Sequence, residues 1–154
     1  MNSNEMIWID LPSLESFTLG NYALHNTLEL CLRNIDYFEA VEIVSDRFES
    51  VKAFRIDGLN RLKTLKIGNN SFTQVKQADW KRLSYDEAVQ KCKLPKSFHI
   101  LNCESLESIE IGEYSFSDFG GDLELKNLPK LQSIKFDKNN FFASSFMIRG
   151  IVIA

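Results

Sequence analysis

Apolar residues recur along this chain in a rhythm that is neither helical nor strictly alternating. In the stretch LNRLKTLKIGNN, residues 59–70, they occupy positions 59, 62, 65 and 67. The same spacing of three, three and two residues fits four further stretches, which begin at positions 11, 35, 103 and 128. One copy of such a pattern cannot bury its own hydrophobic side chains, whereas stacked copies can, so the chain is expected to fold as a stack of similar units.

A second apolar element, a pair of residues two apart, precedes each copy of the pattern. The pairs begin at residues 6, 30, 54, 98, 123 and 146, so successive starts lie 24, 24, 44, 25 and 23 residues apart. The pair at 146 opens a sixth unit that the chain does not finish. The long interval equals one ordinary period plus an insertion at about residues 74–93.

Local patterning predicts a strand in each element. The step Leu65-Lys66-Ile67 has the two-residue period of a strand with one buried face, and a polar residue lies between the apolar ones in every copy. Pairs such as Phe98 and Ile100 predict a second short strand on the opposite side of each unit. Equivalent strands of successive units are expected to run parallel, about 4.8 Å apart.

A period of roughly 20 to 29 residues carrying the pattern L-x-x-L-x-L-x-x-N is the signature of leucine-rich repeats. Leu62, Leu65, Ile67 and Asn70 match it position for position. The chain therefore resembles the leucine-rich-repeat family over nearly all its length, and the tags GNNSF, GEYSF and GNYAL are similar to those of BspA-like and protist-type members. The resemblance implies a single domain, 1–154: a right-handed, mainly β repeat solenoid with a parallel concave sheet and short strands opposite it.

The chain departs from the family pattern at the asparagine that closes each turn. That position holds Asn70 and Asn139, but Asp46 in the second unit and Tyr22 and Tyr114 in the first and fourth. The asparagine ladder is thus broken, and these turns need another source of hydrogen bonds for their backbone groups.

The insertion at 74–93 is expected to form one or two short helices that stand away from the repeats. SYDE at Ser84–Glu87 predicts a capping box, and Pro95 closes the segment. Two interpretations remain open. The insertion is either a tolerated surface loop, since long loops cost little extra closure entropy, or a binding protrusion that presents Trp80, Arg82 and Tyr85, residue types favoured at interface hot spots.

Composition argues against several classes of partner. The 18 basic and 21 acidic residues are intermixed, giving a net charge of −3 and no basic stripe, so neither nucleic acid nor an anionic membrane is an expected ligand. No segment has the roughly 20 apolar residues of a membrane span, and MNSNEMIWIDLP lacks the features of a signal peptide. The three cysteines form no disulfide framework. These features favour an intracellular, cytoplasmic location.

Nothing in the sequence predicts catalysis. His25 follows a strand and His99 lies between two apolar strand residues, so both are expected to be surface or hydrogen-bonded polar residues. FGGD at 119–122 reads as a turn rather than a phosphate loop, and no His or Cys spacing typical of a metal site occurs. We therefore expect no enzyme activity, no cofactor and no metal.

The predicted concave sheet presents one polar side chain from the middle of each strand. Two interpretations are open: neighbouring opposite charges stabilise the sheet, or the row forms a mixed-charge face for a protein or peptide partner. The candidate partner-binding residues are Thr18, Glu42, Lys66, Glu110, Lys135, Trp80 and Tyr85.

The end of the sequence, FMIRGIVIA, is apolar and has no polar cap. Either the chain is a fragment of a longer array, or the tail caps the stack itself, or Phe146, Ile148, Ile151 and Ile153 mediate self-association. The predicted function is a non-catalytic protein-binding scaffold. The alternative is a structural segment whose exposed ends stack on other repeats.

Overall fold

The computed structural model describes residues 6–7, 16–19, 28–33, 35–36, 38–46, 48–141 and 145–151. This part of the chain is mainly β. The strands are β1 (Met6–Ile7), β2 (Ser16–Leu19), β3 (Glu29–Arg33), β4 (Ala40–Ile43), β5 (Ala53–Asp57), β6 (Thr64–Ile67), β7 (Ser97–Leu101), β8 (Ser108–Ile111), β9 (Asp122–Leu128), β10 (Ser133–Phe136) and β11 (Ser145–Ile151). Helices α1 (Gln77–Trp80) and α2 (Tyr85–Lys91) lie between β6 and β7.

The strands form two parallel sheets, and consecutive strands belong to different sheets. Across the described ranges, the odd-numbered strands form a six-stranded sheet in the order β1-β3-β5-β7-β9-β11. The even-numbered strands form a five-stranded sheet in the order β2-β4-β6-β8-β10. The prediction of parallel strands from both apolar elements is therefore confirmed.

The register within each sheet follows the period of the sequence. In the six-stranded sheet the first residues of the apolar pairs are partners: Leu30, Phe54, Phe98, Leu123 and Phe146. In the five-stranded sheet the partners are Phe17, Val41, Leu65, Ile109 and Ile134. Residues at equivalent positions of the period therefore form straight rows across both sheets from β2 to β11, whereas β1 is shifted by one residue, because Met6 pairs with Glu29 and Ile7 with Leu30. A one-residue slip would turn the apolar row to solvent, which is why burial fixes this register.

One hydrophobic core joins the inner faces of the two sheets. It contains Leu30 and Phe54 of the six-stranded sheet together with Val41 and Leu65 of the five-stranded sheet. The second position of the apolar pattern was expected to form one buried column, and its described members Phe38, Leu62, Leu106 and Leu131 have no exposed surface. Leu14, the first member of this column, lies outside the described residues.

Four phenylalanines form a stack within this core. The ring centroids of Phe48 and Phe72 are 5.0 Å apart, those of Phe72 and Phe116 4.6 Å, and those of Phe116 and Phe141 5.1 Å. All four residues have positive φ, between 47° and 58°. Left-handed backbone costs an L-residue roughly 1–2 kcal/mol, so ring burial must offset the strain at each position.

The insertion contains two short helices, and the prediction that it stands away from the repeats is wrong. Ser84 caps α2, because its Oγ accepts a hydrogen bond of 3.3 Å from the backbone N–H of Glu87, which is one half of the predicted capping box. The reciprocal hydrogen bond to the Glu87 side chain is not found in the described part of the chain. However, Val75, Ala88 and Cys92 are buried. Apolar burial thus attaches the insertion to the rest of the chain at both of its ends.

Candidate functional site

Five of the candidate residues lie in one continuous row. Thr18 pairs with Glu42, Glu42 with Lys66, and Lys66 with Glu110, which in turn pairs with Lys135. The row follows from the alternation of the strands: Leu65 and Ile67, on either side of Lys66, are buried, whereas Lys66 itself is exposed. The described side chains of the row therefore project from the outer face of the five-stranded sheet.

The charges of this row are only partly neutralised within the sheet. The Lys135 ammonium lies 3.6 Å from a Glu110 carboxylate oxygen, and Lys138 lies 3.7 Å from Glu113 in the row beside it. Glu42 and Lys66 are also neighbours in register, yet among the described residues neither makes a side-chain hydrogen bond or an ion pair. The half of the face on β4 and β6 thus retains one carboxylate and one ammonium available to a partner.

Small side chains border the charged row. Ala40, Thr64, Ser108 and Ser133 are register partners on β4, β6, β8 and β10. A depression on this face is lined by Ala40, Thr64 and Ser108, by Val41 and Leu65, and by Glu42, Lys66 and Glu110. The small side chains thus leave the backbone of this face accessible beside the charged row.

The structure does not place Trp80 and Tyr85 with this row. Trp80 is the last residue of α1 and is half-buried, with its ring centroid 6.3 Å from that of Tyr114. Tyr85 is the first residue of α2, and 72% of it is exposed. The candidate residues therefore fall into two groups, the sheet row and the insertion.

The insertion is attached to the segment before β9 by a buried polar network. The hydroxyls of Thr73 and Ser117 lie 2.7 Å apart. The Lys96 ammonium donates a hydrogen bond of 2.6 Å to Asp118, which also accepts one of 3.1 Å from the backbone N–H of Gln74. Lys96 and Asp118 are 4% and 0% exposed, so this ion pair is shielded from solvent and ions.

The FGGD segment has a packing role that the sequence did not reveal. Gly120 donates its N–H to the carbonyl of Leu94 at 2.8 Å, and Gly121 donates to that of Lys96 at 3.0 Å. A Cβ at Gly120 would lie 2.6 Å from the backbone of Lys93. Glycine is required at this position because the two chain segments approach too closely for any side chain.

In the turns after the even-numbered strands, the position expected to hold asparagine contributes a backbone hydrogen bond, and the residue after it contributes a side-chain hydrogen bond. Asp46, Asn70, Tyr114 and Asn139 occupy that position, and all have φ near 60°. The backbone N–H groups of Asp46, Asn70 and Tyr114 donate to carbonyls of the next turn, as from Asn70 to Glu113 at 2.9 Å. The prediction for Tyr22 lies outside the described residues.

The following residue of each turn supplies a ladder of side-chain hydrogen bonds. Ser71 Oγ donates to the carbonyl of Val44 at 3.0 Å, Ser115 Oγ to that of Gly68, and Asn140 Nδ2 to that of Gly112 at 2.8 Å. The signal was present in the sequence as a Ser, Ser and Asn at the same place in three successive copies.

A second ladder lies at the ends of the odd-numbered strands. Asn102 Nδ2 donates to Asp57 at 3.0 Å, and Asn127 Nδ2 donates to Asn102 at 2.7 Å. Asn102 and Asn127 have positive φ, which asparagine tolerates better than most residues. Side-chain hydrogen bonds from asparagine therefore link β5, β7 and β9 near the ends of these strands.

The described polar groups show little sign of chemical activation. Burial raises the pKa of the Cys92 thiol to about 12 and that of the Cys103 thiol to about 11, so both are protonated near neutral pH and poor nucleophiles. His99 Nδ1 lies 3.2 Å from its register neighbour Glu124. His25 lies outside the described residues.

Metal and membrane sites were also sought. Within the described ranges, no three His, Cys, Asp or Glu side chains form a cluster that could hold a metal ion. In the same part of the chain, neither helix has the length and apolar character needed to cross a membrane. Comparison of the chain with protein-family models, with curated proteins and with solved structures finds no match.

Proposed function

We propose that the chain is a leucine-rich-repeat solenoid that binds a protein or peptide partner through the outer face of its five-stranded sheet and catalyses no reaction. The alternation of strands between two parallel sheets, in register with the sequence period, supports the solenoid. Within each sheet the strands are held by their neighbours, so the face is preorganised and loses little conformational entropy on binding.

The observation that carries the proposed function is the pair Glu42 and Lys66. The two side chains are adjacent in register and exposed, yet make no ion pair, whereas Glu110 and Lys135 in the same row do. A partner can therefore pair one of its cations with the Glu42 carboxylate and one of its anions with the Lys66 ammonium. Such charge pairs determine the orientation and specificity of binding more than its affinity.

We expect the substitution Lys66→Glu to abolish capture of the partner. In this test a photo-crosslinking amino acid replaces Thr64, which is exposed on the same face, and the full chain is irradiated in native lysate. Reversal of the charge at position 66 places two like charges side by side, so the crosslinked product should fall by about tenfold or more.

Lys126→Glu is the matched control, because Lys126 is equally a strand lysine exposed to solvent but lies on β9 of the six-stranded sheet. Equal crosslinking in both variants would contradict the proposal. Loss of the crosslinked product in the Lys126→Glu variant, but not in the Lys66→Glu variant, would instead assign binding to the six-stranded sheet.

A second candidate function, self-assembly, is favoured by the edge strand β10. Ile134 and Phe136 are partly exposed, whereas their register partners Ile109 and Ile111 in β8 are buried. An edge strand with unpaired backbone groups and exposed apolar residues is a template for addition of a further strand. A second copy of the chain could supply that strand.

If β10 mediates assembly, the mass measured by light scattering should rise with protein concentration. The substitution Ile134→Lys should then return the chain to the monomer mass, because an inward-pointing charge blocks strand addition. A monomer at every concentration would remove the support for self-assembly and leave the binding function as the only proposal.

A further inference from the structure

The insertion is basic, although the chain as a whole is acidic. Residues 74–93 contain five Lys or Arg and three Asp or Glu, a net charge of +2, so the other residues carry −5. Lys81, Arg82, Lys91 and Lys93 are exposed. Arg82 forms an ion pair with Asp79, and Lys76 pairs with residues outside the insertion. Lys81, Lys91 and Lys93 make no ion pair with the described residues. Asp86 and Glu87, in the first turn of α2, are exposed carboxylates without an ion pair among the described residues. The uncompensated positive charge therefore lies at the other end of α2, at Lys91 and Lys93.

The insertion and the residue that follows it also expose two large apolar side chains. In the part of the chain that the structure describes, the large hydrophobic residues that are exposed are Tyr85, at 72%, and Leu94, at 37%. Tyr85 begins α2, and Leu94 follows its end by three residues. The two side chains therefore lie at opposite ends of α2, and Leu94 is the one that borders a pocket.

Leu94 forms one wall of a pocket of about 300 Å³, which is also lined by Pro95, Lys52, Gln74 and Lys96. This volume is at the lower end of the range for ligand sites, which run from about 300 to 1,000 Å³, and suits a single side chain. The charge of Lys96 is compensated by Asp118. Lys52 is exposed and its side chain makes no hydrogen bond or ion pair with the described residues, so its ammonium is available to a ligand in the pocket.

The wall of this pocket is held in place by contacts to two other segments. The Leu94 carbonyl accepts the N–H of Gly120 at 2.8 Å and that of Lys96 at 2.8 Å, and the Lys96 ammonium is buried against Asp118. On the other side, the backbone of Lys52 is held by the hydrogen bond of 3.0 Å from Ser97 N–H to its carbonyl. A pocket formed before binding loses little entropy when it is filled.

We propose that this pocket and the adjoining basic surface of the insertion bind an acidic peptide segment of a protein partner. One leucine- or phenylalanine-sized side chain enters between Leu94 and Pro95, and a flanking carboxylate pairs with Lys52. Further acidic residues of the segment lie along Lys91 and Lys93. The site is separate from the face of the five-stranded sheet and does not depend on a partner there.

The test is selection of peptides from a random phage-displayed library on the immobilised full chain. The selected peptides should contain a large apolar residue flanked by Asp or Glu. Their affinity, measured by fluorescence anisotropy, should fall about tenfold or more with Lys52→Glu and with Leu94→Asp, a change of about 1.4 kcal/mol or more. Lys126→Glu, at an exposed lysine of β9 that belongs to neither proposed site, should leave the affinity unchanged.

Several outcomes would overturn the proposal. These are a library that yields no enriched sequence, enriched peptides without acidic residues, and enriched peptides that bind the Lys52→Glu variant as tightly as the original chain. Binding of a labelled single-stranded RNA that is lost with Lys52→Glu would assign the basic surface to nucleic acid instead. Both substituted residues are exposed, and denaturation curves confirm that each variant is folded. Failure of the Thr64 crosslinking experiment would not affect any of these results.

Discussion

The substitution Phe116→Ala is expected to lower the free energy of unfolding by about 3–5 kcal/mol, the range for removal of a buried phenylalanine ring. Phe116 is fully buried and stacks between Phe72 and Phe141. It also makes edge-to-face contacts with Phe54 and Phe98 of the six-stranded sheet, at 5.4 and 4.8 Å between centroids. Chemical denaturation followed by tryptophan fluorescence measures the change. A loss below about 1 kcal/mol would mean that the stack does not stabilise the core.

A second substitution at this position tests the backbone strain. Because Phe116 has a φ of 57°, alanine there retains a left-handed cost of roughly 1–2 kcal/mol, which glycine avoids. Phe116→Gly is therefore expected to be about as stable as Phe116→Ala, whereas glycine elsewhere is usually less stable than alanine by roughly 0.5–1 kcal/mol. Tyr85→Ala, at an exposed aromatic residue, is the control and should change stability by less than about 0.5 kcal/mol.

The substitution Lys96→Met is expected to cost about 3–5 kcal/mol, because it leaves the Asp118 carboxylate buried without its counter-charge. Lys96 and Asp118 are 2.6 Å apart and shielded from water. The other oxygen of Asp118, Oδ1, is buried with no hydrogen-bond partner in the described part of the chain, so no second group compensates the charge. Denaturation curves give the loss, and limited proteolysis within residues 74–93 reports whether the insertion is released.

The double variant Lys96→Met with Asp118→Asn separates the charge from the packing. It should recover most of the lost stability, because the asparagine oxygen still accepts the N–H of Gln74 and no buried charge remains. Lys135→Met provides the matched control at an exposed pair and should cost less than about 1 kcal/mol. If Lys96→Met were as stable as the original chain, the ion pair would not hold the insertion.

The parts of this structure that the sequence predicted are those that depend on the period alone. Leu65 and Ile67 alternate with Lys66, so their burial and its exposure follow from strand geometry. Strands β2 to β11 pair in the register of the period, because a slip of one residue would expose the apolar row, whereas β1 is shifted by one residue. The same reasoning placed Thr18, Glu42, Lys66, Glu110 and Lys135 in one row, and the register of the sheet has this order.

The docking of the insertion could not be predicted, because its contacts join residues far apart in the sequence. Thr73 meets Ser117, 44 residues later, and Lys96 meets Asp118, 22 residues later. Neither pair follows from a period, and both lie in the copies that flank the insertion, where the period is interrupted. For the same reason the sequence indicated only a turn at Gly120 and Gly121. Their lack of side chains is what allows this segment to pack against the backbone at the end of the insertion.

The sequence by itself determined two parallel sheets and the row of charges on one of them, because a periodic apolar pattern has only one arrangement that buries every copy. The tertiary structure decided three things: which polar groups close the turns, how the insertion is attached, and that Phe48, Phe72, Phe116 and Phe141 adopt left-handed backbone to stack their rings. These features depend on contacts between neighbouring units, where the gain from burying a ring or pairing a buried charge exceeds the local preference of each residue.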